Sequence, residues 1–484
     1  MMLRILIILG ALQFSLAGCA LIHHDTPPMA MIEPSHVQLA ADIHLMRENW
    51  PAARWWRVYG DPNLDALIDR ALSESPTIAV ARSRLAQARA NVDVSRSSTD
   101  LQVALFGSVD RQHVSDNGFL SAYASHDPEI GADGPSYTEG VVGLGGRLDI
   151  DLWGKQRADV AASIGAQNAQ RADEAAAELE LAADVAQLYF SIQVTYAKIT
   201  FLNESLDLVE FTAAAHEARE QRGLEGDEPN QQARAQVLAI QRELAAAAQQ
   251  VILAREALRA LTAIGPGDLS IAEVSLPDTG SVLPRTLSYE LLARRPDLQA
   301  LRWTVEASFD RVDAAKASFY PSFDITAFFG FNALRMSDLF THSSQQINVI
   351  PGLTLPLFDG GRLNASLQSV RSASNVLIAQ YNQAVLNAVR DVAQTGANLQ
   401  DLERESNLQA QRVNAVRFSE DRAQSLYERG LADAVTVREA TQPVIAEQMV
   451  LLQLHGQQID QQIALIRTLG GGYQASGPGL PTTR

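Results

Sequence analysis

The sequence predicts a mainly α-helical protein with a transmembrane β-barrel, built from a helix–strand–strand–helix unit that occurs twice. Three observations support this fold class: two long helical runs without proline, four short segments of alternating apolar and polar residues, and a second half that repeats the order of the first. The two runs cover residues 158–221 and 364–429. At 1.5 Å per residue the first would be roughly 95 Å long, so it must pack beside other long helices.

Each long run ends in a tight turn and is followed by a second helical run, so each half contains a helical hairpin. The two turns share the order arginine, glycine and leucine, as Arg222, Gly223 and Leu224 in the first half and Arg429, Gly430 and Leu431 in the second. A glycine directly after a helix favours the left-handed backbone conformation that ends it. We therefore expect hairpins over residues 158–261 and 363–469, with these turns at their tips.

Four segments alternate between apolar and polar side chains, at about residues 101–110, 141–152, 322–331 and 347–357. In the first, Leu101, Val103 and Leu105 fall on one face, whereas Gln102 and Ala104 fall on the other. Alternating segments of about ten residues are typical of a transmembrane barrel that is apolar outside and polar inside.

Four strands are too few to close a barrel, for which about eight is the practical minimum. Lipid tolerates no open sheet edge, so other copies of the chain are expected to complete the barrel as a symmetric ring. Two copies would give eight strands with a filled interior, and three copies would give twelve with a lumen. The residues by themselves leave both ring sizes open.

The repeat and the N-terminal composition divide the chain into four parts. We expect a signal peptide at residues 1–18 and a lipidated tether at 19–60. The first repeat then covers residues 61–270 and the second covers 271–484. Because neither half could bury a core alone, the repeats are expected to form one architecture.

The N-terminus resembles that of a bacterial lipoprotein. Arg4 precedes an apolar run over residues 5–16, and the run is followed by Ala17, Gly18 and Cys19, as in the lipobox at which lipoproteins are cleaved and acylated. Cys19 is therefore the expected lipid attachment site. The alternative is a short core helix that ends in cysteine. Ala20, directly after Cys19, is compatible with sorting to the outer membrane.

Composition argues against several other classes of protein. The net charge of -17 disfavours nucleic acid as a partner. The single cysteine excludes a disulfide framework and a cysteine metal cluster. His23 and His24 form the only adjacent histidine pair, and they are interpreted as part of a solvated linker. No nucleophile–base–acid arrangement stands out, so we expect no enzyme activity, no catalytic residues, no metal and no cofactor.

Two features precede the first strand. Asp61 and Pro62 are expected to cap and begin a helix. Trp50, Trp55 and Trp56 lie just before it, and they either contact lipid headgroups or pack between helices.

Taken together, the lipobox, the duplicated unit and the two Arg-Gly-Leu turns resemble those of the outer-membrane factors of tripartite efflux systems. These are the TolC-like channels, and the lipoprotein branch that contains OprM and NodT is the most similar. Trp56, Tyr59, Asp61 and Pro62 resemble the opening segment of that branch. The resemblance implies a homotrimer with a 12-stranded barrel in the outer membrane and a long tunnel of 12 helices in the periplasm.

The resemblance also implies a function and a set of partners. The channel would be a passive exit duct for small organic compounds or drugs. Its tips would be docked to a periplasmic adaptor and an inner-membrane pump, and the resemblance to this branch implies a pump of the RND type. Two alternatives remain: a duct for type I protein secretion, and a structural coiled-coil lipoprotein. The strand alternation disfavours the latter.

Acidic residues after the second tip ring the closed entrance in this family. Counting from Gly430, this chain has Thr436 and Glu439 at those positions, and only Glu439 keeps the charge. Glu439 is therefore the predicted periplasmic gate residue, since a ring of carboxylates attracts cations. Alternatively, Arg438 pairs with a Glu439 of an adjoining helix and acts as a latch. The first tip is also acidic, through Glu225, Asp227 and Glu228; the alternative interpretation of these three residues is an ordinary hydrophilic turn.

Overall fold

The computed structural model describes residues 27–32, 52–115, 117, 136–265, 269–278 and 294–473. Cys19, the histidine pair, Trp50 and the expected signal peptide lie outside the described residues. The chain contains helices α1 (Pro62–Glu74), α2 (Pro76–Ser97), α3 (Lys155–Gln221), α4 (Asp227–Thr262), α5 (Pro296–Ala317), α6 (Arg362–Glu428) and α7 (Ala434–Thr468). Its strands are β1 (Gln102–His113), β2 (Ser136–Ile150), β3 (Ser322–Ala333) and β4 (Gln345–Thr354).

The element order confirms the predicted duplication. Helices α2 and α5 each contain 22 residues, and the long helices α3 and α6 each contain 67 residues. The returning helices α4 and α7 contain 36 and 35 residues. No helix in the described ranges combines the length and the apolar character needed to span a membrane.

The second strand of each half ends earlier than the sequence analysis expects. Strand β2 ends at Ile150 and β4 ends at Thr354, and in the junction after each strand a carboxylate caps the start of the next helix. Asp151 Oδ2 accepts a hydrogen bond from the Arg157 amide at 3.0 Å. Asp359 Oδ2 accepts one from the Leu363 amide at 2.8 Å. Residues 151–152 and 355–357 therefore belong to the junctions.

The chain divides into two units. Of the described residues, the first unit comprises those within 27–30, 86–169 and 301–380, and it contains the sheet. The second comprises the described residues within 31–85, 170–300 and 381–473, and it contains the hairpin tips. The long helices contribute residues to both.

The first unit is built on one antiparallel sheet with the strand order β1-β2-β3-β4. One row of directly opposed residues runs Leu105, Leu144, Phe329 and Ile347 across the four strands. All four side chains are exposed. The opposite face of the sheet carries Arg147. The predicted alternation of an apolar and a polar face is therefore confirmed. Within the described chain, β1 and β4 each have one edge without a partner strand.

The second unit has a hydrophobic core that includes the residues before α1. Trp55 and Trp56 are buried, with their rings edge to face at a centroid distance of 5.7 Å. Asp61 caps α1 as predicted, since its Oδ1 accepts a hydrogen bond from the Asn63 amide at 2.8 Å. The Tyr189 hydroxyl donates to the other carboxylate oxygen of Asp61. Packing, rather than contact with lipid, therefore explains Trp55 and Trp56.

Candidate functional site

The first hairpin tip is a Schellman turn at the end of α3. The Gly223 amide donates to the Glu220 carbonyl at 2.8 Å, and the Leu224 amide donates to the Arg219 carbonyl at 2.9 Å. This pair of bonds satisfies carbonyls that a helix end leaves free. Gly223 has φ 68°, so the predicted left-handed conformation is present.

The second tip repeats this geometry at the end of α6. The Gly430 amide donates to the Tyr427 carbonyl at 2.9 Å, and the Leu431 amide donates to the Leu426 carbonyl at 2.8 Å. Gly430 has φ 71°. The two Arg-Gly-Leu turns are therefore the same structural device at equivalent positions of the repeat.

Each turn presents its own side chains to solvent. In a Schellman turn the residue after the glycine commonly packs back against the helix. Here Leu224 is 71% exposed and Leu431 is 72% exposed. The adjoining Arg222 and Arg429 are exposed as well. Both tips thus offer an apolar and a cationic group to a partner, and the adaptor contact assigned to these residues stays a prediction.

An ionic network connects the two tips. Arg219 Nη1 lies 2.9 Å from Glu225 Oε1, and Arg219 Nη2 lies 2.5 Å from Asp433 Oδ2. The second oxygen of Glu225 lies 2.7 Å from His216 Nδ1. The hydrogen bonds from His216 and Arg219 lower the pKa of Glu225. Glu225 thus takes part in a defined set of contacts and is more than a solvated turn residue.

Asp433 also begins the returning helix of the second hairpin. Its Oδ1 accepts hydrogen bonds from the Thr436 amide at 2.9 Å and the Thr436 hydroxyl at 2.7 Å. These bonds, together with Arg219, lower the pKa of Asp433 to about 2. Thr436 therefore completes an N-cap. Sequence reasoning missed this role, although an aspartate just before a helical run is a recognisable capping signal.

Glu439, the predicted gate residue, lies on α7 and is exposed. It borders a cavity of about 410 Å³ between α3, α4 and α7, together with His216, Arg438 and Gln442. The Arg438 guanidinium carbon lies 4.0 Å from the centroid of the Phe211 ring, a cation–π contact. The latch alternative requires Arg438 to pair with a carboxylate, whereas in the described chain it is placed over this aromatic ring.

A proline follows Glu439 by one helical turn. Pro443 lies inside α7, and a proline has no amide hydrogen to donate to the carbonyl four residues earlier. The Glu439 carbonyl therefore lacks its usual intrahelical donor. The sequence contains this signal, but the helical periodicity alone does not mark it as functional.

The described residues contain no cluster of three or more histidine, cysteine, aspartate or glutamate side chains that could hold a metal ion. The groups that the tips present are ion pairs, a helix cap and exposed apolar side chains.

Comparison with known proteins identifies relatives over nearly the whole chain. A family model described as "Outer membrane efflux protein" matches residues 67–263 and 287–471, once in each repeat. The chain is 50% identical over 464 residues to the multidrug resistance outer membrane protein MdtP of Escherichia coli strain K12, covering 96% of this chain and 95% of that protein. It is 36% identical over 463 residues to the multidrug resistance outer membrane protein MdtQ of Escherichia coli O6:H1, covering 96% and 97%.

Solved structures share the fold. The outer membrane protein VceC of Vibrio cholerae superimposes with a TM-score of 0.76 at 30% identity, covering 88% of this chain and 100% of that one. The Campylobacter jejuni CmeC outer membrane channel superimposes with a TM-score of 0.83 at 19% identity, covering 94% and 96%, which supports the fold alone.

Proposed function

Because the chain belongs to the outer membrane efflux protein family and forms an efflux channel of the outer membrane, we propose that three copies close into one duct. The observation that carries this proposal is the open sheet of the first unit. In the part of the chain that the structure describes, this sheet has four strands, an exposed apolar face and two edges without a partner strand. Lipid excludes such edges, so each β1 is proposed to pair with the β4 of a neighbouring copy.

The polar face of the sheet favours three copies over two. It carries Arg147, and the opposed residues Asp149 and Asp324 lie on the same alternating face. Charged side chains in a membrane-spanning sheet need water. Eight strands leave an interior that side chains fill, whereas twelve leave room for a lumen. A trimer therefore gives these residues an aqueous interior.

Aromatic side chains at the helix-proximal end of the sheet are placed to lie at the membrane–water interface. The rings of Trp153 and Tyr320 stack at a centroid distance of 5.0 Å. Trp153 Nε1 donates to the Pro321 carbonyl at 2.8 Å, and Phe358 is 93% exposed. Tryptophan and tyrosine are enriched at this depth of membrane proteins. The periplasmic boundary is proposed to lie at this level.

The proposed cargo is small organic compounds, including drugs, because relatives with matching length are named multidrug resistance proteins. The duct would be passive: an inner-membrane pump supplies the energy and a periplasmic adaptor contacts the Arg-Gly-Leu tips. The exposed Leu224 and Leu431 support this docking role. Type I protein secretion stays the alternative cargo class, whereas a purely structural lipoprotein would have no need of the sheet.

Cys19 is proposed to carry the lipid anchor. The Met29 amide donates to Asn375 Oδ1 at 3.1 Å in the unit that contains the sheet. The described residues that follow Cys19 in the sequence therefore contact this unit. Mass spectrometry of the mature N-terminal peptide should find an acylated Cys19. An unmodified cysteine would contradict the proposal. Cys19→Ser is expected to impair sorting more than insertion, since the barrel also holds the protein in lipid.

The duct itself is tested by two measurements on the full-length purified protein. Native mass spectrometry should give a trimer, and the same preparation should conduct ions in planar bilayers. In cells that lack their own efflux channel but retain a matching pump and adaptor, expression should lower drug accumulation. A stable monomer without conductance would overturn the trimeric duct, whereas a conducting trimer that exports only protein would favour the secretion alternative.

A further inference from the structure

Two phenylalanines lie on the polar face of the sheet. Phe106 is opposite Gly143, and Phe328 is opposite Gly145. Directly opposed residues of an antiparallel pair share a face, and alternate residues of one strand share it as well. Both phenylalanines therefore lie on the face of Arg147, away from the exposed apolar row. Their rings contact each other at a centroid distance of 5.4 Å and an interplanar angle of 39°.

Glycines provide the space that these rings occupy. A Cβ atom on Gly143 would lie 2.6 Å from Phe328 Cε2, and one on Gly330 would lie 2.8 Å from Phe328 Cζ. A Cβ atom on Gly145 would lie 3.0 Å from Phe106 Cε1. Side chains at these three positions would displace the rings. The glycines of β2 and β3 thus leave the room in which the two rings lie close against the sheet surface.

The pair keeps an accessible surface. Phe106 is 43% exposed and Phe328 is partly exposed, so packing within the chain buries neither ring completely. The exposed aromatic surface lies where the alternation of the strands otherwise places polar groups. Such a group on a water-facing wall has a binding role more readily than a packing role.

Carboxylates flank the pair on both sides along the strands. Asp110 and Glu139 are opposed residues on the same alternating face in one direction. Asp149 and Asp324 are opposed residues in the other direction. Arg147 is a positive group on this face, and it lies 3.1 Å from Asp149. The wall around the rings is therefore predominantly acidic, which favours a positively charged solute.

We propose that Phe106 and Phe328 form a subsite in the duct for the aromatic part of positively charged organic solutes. This inference rests on the proposed function, because the polar face becomes the lumen wall only when the barrel closes. Threefold closure would place three such pairs at one level. Exposed rings attract aromatic and cationic groups only weakly, and weak binding suits a channel, from which a solute must also leave.

The test uses two cations that differ in aromatic character. Benzyltrimethylammonium and (cyclohexylmethyl)trimethylammonium are added to full-length channels in planar bilayers from the extracellular side, and the block of the potassium current is measured. The variant Phe106→Leu/Phe328→Leu keeps apolar side chains at both positions. The matched control is Phe329→Leu, whose side chain belongs to the exposed apolar row.

The double variant should weaken block by the benzyl compound about two- to fivefold for each ring removed, with a much smaller effect on the cyclohexylmethyl compound. The control should leave both unchanged. Unaltered benzyl block in a conducting double variant would overturn the subsite and leave the rings as a cover for the glycine backbone. An equal loss for both compounds would overturn the aromatic selectivity.

The same recordings distinguish a failure of assembly or of the proposed function from a failure of the proposed subsite. If the double variant fails to form trimers, Phe106→Leu alone is measured and should show the effect of one ring. If the wild-type chain forms no conducting channel, the proposed function fails. If it conducts and the variants behave like wild type, the subsite alone fails.

Discussion

Gly430 determines how the second tip closes, because its backbone conformation is one that side chains disfavour. An alanine at φ 71° costs about 1 kcal/mol, although nothing lies within 4 Å of the added Cβ. We predict that Gly430→Ala speeds amide hydrogen exchange at Leu431 about fivefold, since local opening of the turn becomes easier by about that free energy.

Gly226→Ala is the matched control for this change. Gly226 also has open space around a new Cβ, but its φ is -77°, which alanine adopts freely. Exchange at the first tip should therefore be unaffected by the control. Equal behaviour of the two variants would show that backbone strain does not govern the tips.

Asp433 fixes the pH range over which the tips stay connected. Its pKa is lowered to about 2, so the stabilising contribution of its charge is complete above about pH 4 and is lost as pH falls through about 2. The contact between Arg219 and Asp433 is accordingly expected to be constant over the neutral and mildly acidic range.

At the scale of elements, the Arg219 network should hold the two hairpin tips together. We predict that Arg219→Gln broadens the distance distribution between spin labels at Arg222→Cys and Arg429→Cys. Both labelled positions are exposed. Double electron–electron resonance measures the distance between the two labels, and dilution of labelled with unlabelled chains limits the signal to pairs within one chain. Without Arg219, Glu225 and Asp433 lose their shared cation.

The control for the element-scale prediction is Arg234→Gln, because Arg234 pairs with Glu217 inside the first hairpin. It should leave the distribution narrow. The wild-type distribution should be the same at pH 8 and pH 5. Broadening at pH 5 would contradict Asp433 as the controlling group, since its pKa of about 2 keeps it charged at both pH values.

The sequence predicts helices better than strand ends and contacts. Helical periodicity without proline locates α3 to within a few residues, because local spacing determines the apolar stripe. The alternation does not reveal where the strands give way to the junctions, in which Asp151 and Asp359 cap the following helices. The bond between Arg219 and Asp433 joins residues separated by 214 positions. Such pairs follow from packing of the whole hairpin assembly and from no local pattern.

The ring pair shows the same limit within the sheet. Alternation assigns the face of Phe106 and Phe328 to polar residues, and the two rings read as isolated exceptions. Only the register of β1, β2 and β3 brings them together over glycines. The sequence does contain one signal for this pair: β2 is rich in glycine, and the two strands that flank it each carry a phenylalanine at a position where the alternation predicts a polar residue.

At the scale of the whole molecule, the duplication is close in topology and unequal in detail. The N-cap of α4 is Gly226, which makes no side-chain capping bond, whereas the side chain of Asp433 caps the start of α7. The interior proline belongs to α7. The second hairpin therefore combines a well-anchored start with a missing backbone hydrogen bond one turn after Glu439. We therefore expect α7 to be the helix that bends if the predicted gate at Glu439 opens.

The variant Glu439→Gln tests the role of this helix start in the proposed trimer. Carboxylates brought together around a threefold axis repel each other, so a closed ring is expected to retain a bound cation, and opening separates the charges. If the ring binds cations, Glu439→Gln should lower cation selectivity and weaken block by divalent ions added from the periplasmic side. If Glu439 forms a latch, the same variant should raise the resting conductance.

Arg438→Gln distinguishes the two hypotheses, since it removes the contact with Phe211 and keeps the carboxylate of Glu439. If the carboxylates form a ring, this variant should preserve the block by divalent ions. If Arg438 and Glu439 form a latch, it should raise the resting conductance. Single-channel recordings in which Glu439→Gln changes neither property would remove this residue from the gate and leave the Arg219, Glu225 and Asp433 network as the structure that holds the entrance closed.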